Sequence, residues 1–159
     1  MNNLVRESTP KDMPQVLGLI KELAVFEKSP NAVEVTVETL IKEGFGENPL
    51  FTCFVAEVNG EIVGMALIYY RFSTWKGRAI HLEDLIVKEK MRGSGIGKDL
   101  YTKVIEYAHE KKVKRIEWAV LNWNDGAIRF YERSGAKVMK DWYITHMEEA
   151  GIKNYIATL

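Results

Sequence analysis

The sequence predicts an α/β (α+β) fold with a central mixed, mostly antiparallel sheet flanked by helices. Three observations lead there. Two runs rich in β-branched and aromatic residues, "LFTCFVAEV" and "EIVGMALIYYRF", are joined by Asn59-Gly60, the strongest short signal for a hairpin. A third such run, "GRAIHLEDLIV", follows at once, so a three-stranded antiparallel meander is expected. Segments with apolar residues at helical spacing stand on both sides of that meander. The 159 residues, 47% of them hydrophobic, are enough for one domain with a core, residues 1–159.

The elements follow in order. "NLVRES" reads as a short first strand. Thr9, Pro10 and Asp12 combine an N-cap, a proline at the first helical position and an acidic first turn. Val16, Leu19, Ile20, Leu23 and Phe26 then carry a helix over about Pro10–Phe26. "SPNAVEVT" is a loop, and Thr36 caps a short second helix that stops near Gly44. After the meander come Gly93, Gly95 and Gly97, then a helix over about Gly95–Glu110 with Ile96, Leu100, Val104 and Tyr107 as its apolar stripe. "RIEWAVL" is the next strand. A short helix lies between Asn124 as N-cap and Gly135 as C-cap. "AKVMKDWYITHM" is expected to supply one or two final strand segments, and the last residues suit either helix or strand. The expected order is β-α-α-β-β-β-α-β-α-β.

Composition narrows the function classes. Lysine plus arginine equals aspartate plus glutamate, 22 each, so bulk charge gives no support for a nucleic-acid partner. Cys53 is the only cysteine and sits in the apolar "FTCFVAEV", where a buried small side chain is a better reading than a nucleophile. The polar "MNNLVRESTPKD" does not read as a signal peptide. No apolar run approaches the ~20 residues of a membrane span, so neither a membrane partner nor a membrane location is expected, and a cytoplasmic protein is. His81, His109 and His146 do not show a metal-ligand spacing, and no metal is expected. "HEKKVKR" reads as a solvated basic helix end.

The glycine-rich turn "RGSGIGK" carries the chemistry. It lies between a strand ending near Val87 and a helix beginning near Gly95. Free N–H groups at a helix N-terminus favour an anion, and glycines let the backbone come close to a phosphate. Two phosphate motifs fail on spacing. A Walker loop ending at Gly97-Lys98 would need its first glycine at Arg92 and a Ser or Thr at Asp99, and a dinucleotide fingerprint starting at Gly93 would need a glycine at Lys98.

Arg92, Gly95 and Gly97 fit R/Q-x-x-G-x-G/A, and "NDGAIRFYERSGAK" follows later with an Asn opening a helix that carries a Tyr before a glycine. With these two motifs in this order, the chain resembles the GNAT superfamily of N-acetyltransferases. The resemblance implies the GNAT fold and acetyl-coenzyme A, with its pyrophosphate on the backbone of Gly93, Ser94, Gly95, Ile96, Gly97 and Lys98, beside Arg92. It implies that Leu85, Ile86 and Val87 line the cofactor arm, the backbone of Leu85 and Val87 pairing with it like an added strand. Asn124, Asp125, Gly126, Ala127 and Tyr131 are implied as the second cofactor-contacting group.

"LIKELAVFEKS", "EGFGENPLF", "FSTWKGRAIHLEDLIV" and "AVLNWNDGAIRFYERSGA" resemble diamine acetyltransferases across most of the chain, most of all the branch that acetylates thialysine and related small amines. That resemblance implies Tyr131 as the acid that protonates the departing thiolate, and Glu83 as the base, acting through a water. Asn124, Ala127, Ile128 and Tyr131 share one helix face, and Glu83 interrupts an otherwise apolar strand. Asp84 is a substrate candidate, as are Phe26 and Glu27, which matches an acidic substrate-contacting position. Trp75, Trp118, Asp141 and Trp142 are further candidates, because a cationic amine favours carboxylates and aromatic faces.

Two departures bear on the substrate. Polyamine-specific members carry an acidic residue where this chain has Ser73, and a Tyr where it has Phe26. A shorter amine, such as a thialysine-like amino acid or a small diamine, is therefore expected over spermidine. The alternatives are a polyamine acetyltransferase and a non-catalytic acyl-coenzyme A sensor; retention of both Glu83 and Tyr131 argues against the sensor. A homodimer is implied by resemblance alone.

Overall fold

The computed structural model describes residues 4–159, so the expected start of the first strand at Asn3 lies outside the described residues. The chain forms two compact units, residues 1–119 and 120–159.

The first unit is built on a five-stranded sheet. β1 (Leu4–Glu7) is followed by a 3-10 turn (Pro10–Asp12), α1 (Met13–Phe26) and α2 (Val37–Phe45). The meander is β2 (Thr52–Val58), β3 (Glu61–Ser73) and β4 (Gly77–Val87), and α3 (Ile96–Glu110) and β5 (Arg115–Glu117) complete the unit. The strand order is β1-β2-β3-β4-β5; every pair is antiparallel except β4 with β5, so the sheet is mixed and mostly antiparallel, as expected.

Local chemistry explains these elements. Asn59 (φ 51°) and Gly60 (φ 81°) both take positive φ, the backbone of a primed two-residue hairpin turn. The Thr36 hydroxyl accepts from Thr39 N at 3.2 Å and starts α2. Met13, Val16 and Leu19 of α1 pack with Leu40, Cys53, Val55, Met65, Leu67 and Ile86. Neighbouring strand residues point the other way: Phe54 meets Tyr107 of α3 edge-on, at 5.5 Å between ring centres. Gly64 permits the close approach of α3, since a Cβ there would lie 3.0 Å from Leu100 Cδ1 and 2.9 Å from Ile86 O. Cys53 is buried, and burial pushes its thiol up to about 12, which makes it an inert core residue as read from the sequence.

The second unit contains α4 (Asp125–Arg133) and α5 (Glu149–Ile156). Asn124 Oδ1 accepts from Ala127 N at 3.2 Å and caps α4. At the other end Gly135 has φ 97°, with Gly135 N bonded to Glu132 O (3.0 Å) and Ala136 N to Tyr131 O (3.1 Å), a Schellman closure.

Two strand expectations are corrected. Of "RIEWAVL", only Arg115–Glu117 is strand, because pairing with β4 covers only Ala79–His81. "AKVMKDWYITHM" contains no strand: its apolar residues Met139, Trp142, Tyr143 and Ile144 are exposed, and a strand exists only where a neighbour accepts its backbone bonds. The ambiguous last segment is helix α5, on which Glu149 and Lys153 form an i,i+4 pair.

A charge cluster ties the start of the chain to the sheet. The Arg6 guanidinium grips both Asp12 oxygens (2.8 and 2.9 Å) and reaches Glu57 at 2.7 Å, while Thr9 N donates to Asp12 at 2.7 Å. Arg6 holds the Asp12 carboxyl down at about 2. A depressed carboxylate stabilises above its unfolded value and loses that stabilisation as pH falls through the folded one. Asp12→Asn is therefore expected to cost about 2 kcal/mol at pH 7. The difference should disappear between about pH 4 and pH 2, as read by urea unfolding. Equal stability at pH 7 would remove this cluster as a stabilising element.

Candidate active site

The central feature is a register skip in β4. Leu67 pairs with Asp84 and Ile68 with Leu82, so Glu83 has no partner on β3. This bulge gathers carboxylates at the end of α1. Glu27 is the residue after α1, and Asp84 feels the charges of both Glu83 and Glu27. Burial, then those two neighbours, push the Asp84 carboxyl up to about 6. Desolvation also raises Glu27, although the residue as a whole stays exposed. Glu83 Oε2 accepts from the Tyr69 hydroxyl at 2.8 Å and lies 3.5 Å from His81 Nε2. Burial and the bond to Glu83 push Tyr69 up to about 12, so it remains a hydrogen-bond donor.

Beside this cluster lies an open strand edge. β5 leaves β4 after His81, and no strand among the described residues pairs with Leu82–Val87 on that side. The strands therefore part before Val87, earlier than a splay placed at the end of the strand. Lys88 N bonds to Val63 O at 2.8 Å, which makes that antiparallel pair a hydrogen-bonded one. By alternation Ile86 also bonds toward β3, while the N–H and C=O groups of Leu85 and Val87 point to the open edge. Arg92 Nε donates to Val87 O at 3.2 Å, in agreement.

The glycine turn begins just beyond. Gly93 (φ 78°) and Gly95 (φ 92°) adopt left-handed backbone that L side chains resist. The α3 ladder opens with Asp99 N bonded to Gly95 O, so the amides of Ile96, Gly97 and Lys98 precede it and have no helical acceptor. Ser94 Oγ donates to Met91 O at 2.6 Å and braces the turn. The Arg92 guanidinium lies 5.1 Å from the Phe26 ring centre, which joins the turn to the end of α1.

In the second unit Tyr131 is buried on α4, edge-on to Phe130 at 5.4 Å. Asp125, Gly126 and Ala127 form the first turn of α4. Asn124 Oδ1 accepts the cap bond from Ala127 N, and its amide N–H groups are not engaged by the cap. Asp141 and Trp142 lie in the exposed segment without regular structure.

Phe26, Glu27, Glu83 and Asp84 are thus brought together, but two of the tryptophans are not part of that group. Trp75 is 81% exposed in the β3–β4 turn. Six strand residues separate that turn from Glu83, roughly 20 Å. Trp118 packs edge-on against Tyr101 of α3, 5.9 Å between ring centres, as a packing aromatic. Sequence reasoning missed Tyr69 and His81. His81 was legible as a second polar residue two places before Glu83 in an apolar strand; Tyr69 was not, because its position opposite His81 depends on the turn. Among the described residues no group of His, Cys, Asp and Glu is arranged to hold a metal, and no helix is long and apolar enough to cross a membrane.

Comparison with known proteins shows the family and the fold. The sequence profile of the Acetyltransferase (GNAT) family matches residues 18–136. The chain is 40% identical to a thialysine N-epsilon-acetyltransferase of Bos taurus, over 91% of this chain and 92% of that one. It is 43% identical to the protein of the same name from Sus scrofa, over 84% of each. Among solved structures, an integron cassette protein from the mobile metagenome of V. cholerae superposes with a TM-score of 0.79 at 20% identity, over 98% of both chains, which shows a shared fold.

The raised Asp84 carboxyl has a stability consequence. A carboxyl whose folded value lies above its unfolded one loses stabilisation as pH rises from about 4 through about 6. Asp84→Asn is expected to stabilise the protein at pH 8 by on the order of 2 kcal/mol, reduced by partial solvation, and to change little at pH 4. Thermal unfolding at the two pH values checks this; no gain at pH 8 would mean that Asp84 is not strained.

Proposed function

The chain belongs to the acetyltransferase (GNAT) family, and from that premise we propose that it moves an acetyl group from acetyl-coenzyme A to a primary amine of a thialysine-like amino acid or small diamine in a ternary complex. The observation that carries the reading is the carboxylate cluster at the Glu83 bulge, set beside an open β4 edge that leads into the glycine turn. The relatives named for thialysine support the amine class. The family match, residues 18–136, crosses from the first compact unit into the second, which supports reading residues 1–159 as one acetyltransferase domain.

The residues present fit the cosubstrate. The outward backbone groups of Leu85 and Val87 suit an amide-bearing arm, with Ile86 between them, and the uncommitted amides at the start of α3, flanked by Arg92 and Lys98, suit a pyrophosphate. Bound there, acetyl-coenzyme A supplies an acetyl group activated as a thioester.

The amine arrives as an ammonium with a pKa of about 10, as for lysine, and must lose a proton before it attacks. Glu83 takes that proton, directly or through a water. Tyr69 and His81 both approach Oε2, leaving Oε1 as the acceptor. Glu27 and Asp84 hold the substrate's positive charge, and an arriving cation favours ionised Asp84. The Tyr131 hydroxyl carries the proton needed by the leaving sulfur, a role that rests on the resemblance. Ser73 Oγ accepts from Trp75 N (3.3 Å) and Lys76 N (3.1 Å) within the β3–β4 turn, away from the Glu83 cluster, so the preference for a short amine over spermidine rests on the resemblance. The proposal includes a homodimer, on resemblance alone, and a cytoplasmic setting, on composition alone.

An amine panel with acetyl-coenzyme A, reading released thiol, tests the function. Thialysine and short diamines are expected to turn over faster than spermidine. A strong preference for spermidine overturns the substrate class, and cofactor binding without thiol release for any amine identifies a sensor instead. Glu83→Gln and Tyr131→Phe are each expected to lower kcat by roughly 10²–10⁴-fold, with coenzyme A binding retained. Unchanged turnover in either variant removes that residue from the mechanism.

A further inference from the structure

We propose that His81 is a positioning residue for Glu83: its neutral imidazole donates from Nε2 to Glu83 Oε2 and holds the carboxylate in the orientation in which it takes the amine proton. The inference rests on reading Glu83 as the base.

Glu83 needs such support. As the bulge residue it has no cross-strand partner, and its side chain is 50% exposed, so little packing restrains it. His81, 18% exposed, sits on the same strand two residues earlier, its ring tilted 31° against Tyr69 at 5.1 Å. Arg71 settles the tautomer. Its Nη1 is 3.4 Å from His81 Nδ1, and a guanidinium can only donate, so Nδ1 accepts and the ring proton belongs on Nε2. Nε2 faces Glu83 Oε2 at 3.5 Å, a separation that a bound ammonium can shorten. Arg71 is itself held by Glu117 at 3.1 Å, and Glu117 by Arg115 at 2.7 Å. The chain Arg115–Glu117–Arg71–His81–Glu83–Tyr69 thus crosses β5, β3 and β4 and ends at Glu83 Oε2, which the Tyr69 hydroxyl bonds at 2.8 Å and His81 Nε2 approaches at 3.5 Å.

Burial favours the neutral ring over the opposing pull of two carboxylates. Burial lowers the His81 pKa most; Glu83 on β4 and Glu117 on β5 raise it, and Arg71 on β3 lowers it. Arg115 on β5, Asp84 on β4 and Glu27 at the end of α1 complete the charged groups around the cluster. Protonation would set an Nδ1–H against the Arg71 donor and turn the Glu83 contact into an ion pair. The first weakens the support of the ring, and the second makes Glu83 a poorer base. His81 therefore contributes an acid limb below its ordinary value of about 6.5.

The test compares wild type, His81→Phe, His81→Gln and Glu83→Gln with thialysine and acetyl-coenzyme A, following kcat and KM from pH 5 to 9. His81→Phe is expected to lose roughly 10- to 100-fold in kcat with little change in KM. His81→Gln, which keeps a donor near the Nε2 position but does not titrate, should recover most of that loss and lack the His81 acid limb. Two-bond proton–nitrogen NMR of the free protein should show the Nε2–H tautomer, titrating below the usual histidine range and lower still in Glu83→Gln. Full kcat in His81→Phe, failure of His81→Gln to recover activity, or an Nδ1–H tautomer overturns the proposal. Full turnover in Glu83→Gln with the expected tautomer overturns the base reading instead, because the NMR arm reports the contact without catalysis.

Discussion

Between Leu82 and Asp84, β4 carries one residue more than the strand beside it, and both halves of the candidate site in the first unit depend on that excess. Side chains and backbone groups alternate along a strand with period two, so a one-residue shift exchanges everything downstream. The skip releases Glu83 from cross-strand pairing and places Asp84 and Ile86 on the α1 side, where Ile86 joins the core. It also sets the parity by which the backbone of Leu85 and Val87, and not that of Ile86, faces the open edge. The proposed proton acceptor, cation-holding carboxylates and cofactor-pairing edge would thus all follow from a single inserted residue.

The same arrangement is energetically unfavourable without a ligand. Three carboxyls crowd one end of α1, and burial with mutual repulsion pushes Asp84 up to about 6. Tyr69 is desolvated and held as a donor against Glu83. The apolar packing of α1 and α2 on the sheet offsets this cost, since Met13, Val16, Leu19, Val55 and Met65 are fully buried next to it. Under the proposed function, an ammonium entering the cluster would relieve that repulsion. Where Arg6 neutralises Asp12 and Glu57, near the start of the chain, no such relief is needed; that cluster is structural.

Legibility in the sequence followed the range of the interaction. The Asn59-Gly60 turn, the Thr36 and Asn124 caps, the Gly135 stop and the stripes of α1 and α3 are decided within a few residues, and each appears where its local rule puts it. Strands needing a distant partner were less legible: β5 stops after Glu117, and the segment before α5 has no strand at all. The site divides in the same way. The glycine turn and the Glu-Asp pair stand out in the sequence, whereas the residue at which β4 skips β3, and hence the meeting of Tyr69, His81 and Glu83, follows from hairpin register. Trp75 and Trp118 show the limit of residue type alone, since one belongs to a turn and the other packs on α3.

Arg92 links the two ends of this first-unit site. Its guanidinium donates to Val87 O, where the open edge ends, and lies over the Phe26 ring, one residue before Glu27. Planar and weakly hydrated, a guanidinium can lie over a ring face while an Nε–H donates in a fixed direction. It therefore ties the end of α1, next to Glu27, to the strand from which the glycine turn departs. Phe26 takes part through its ring face, so the hydroxyl of a tyrosine is not needed for the contact. In the proposed complex this leaves the recognition of charge to Glu27, Asp84 and Glu83, in keeping with a substrate of few cationic centres.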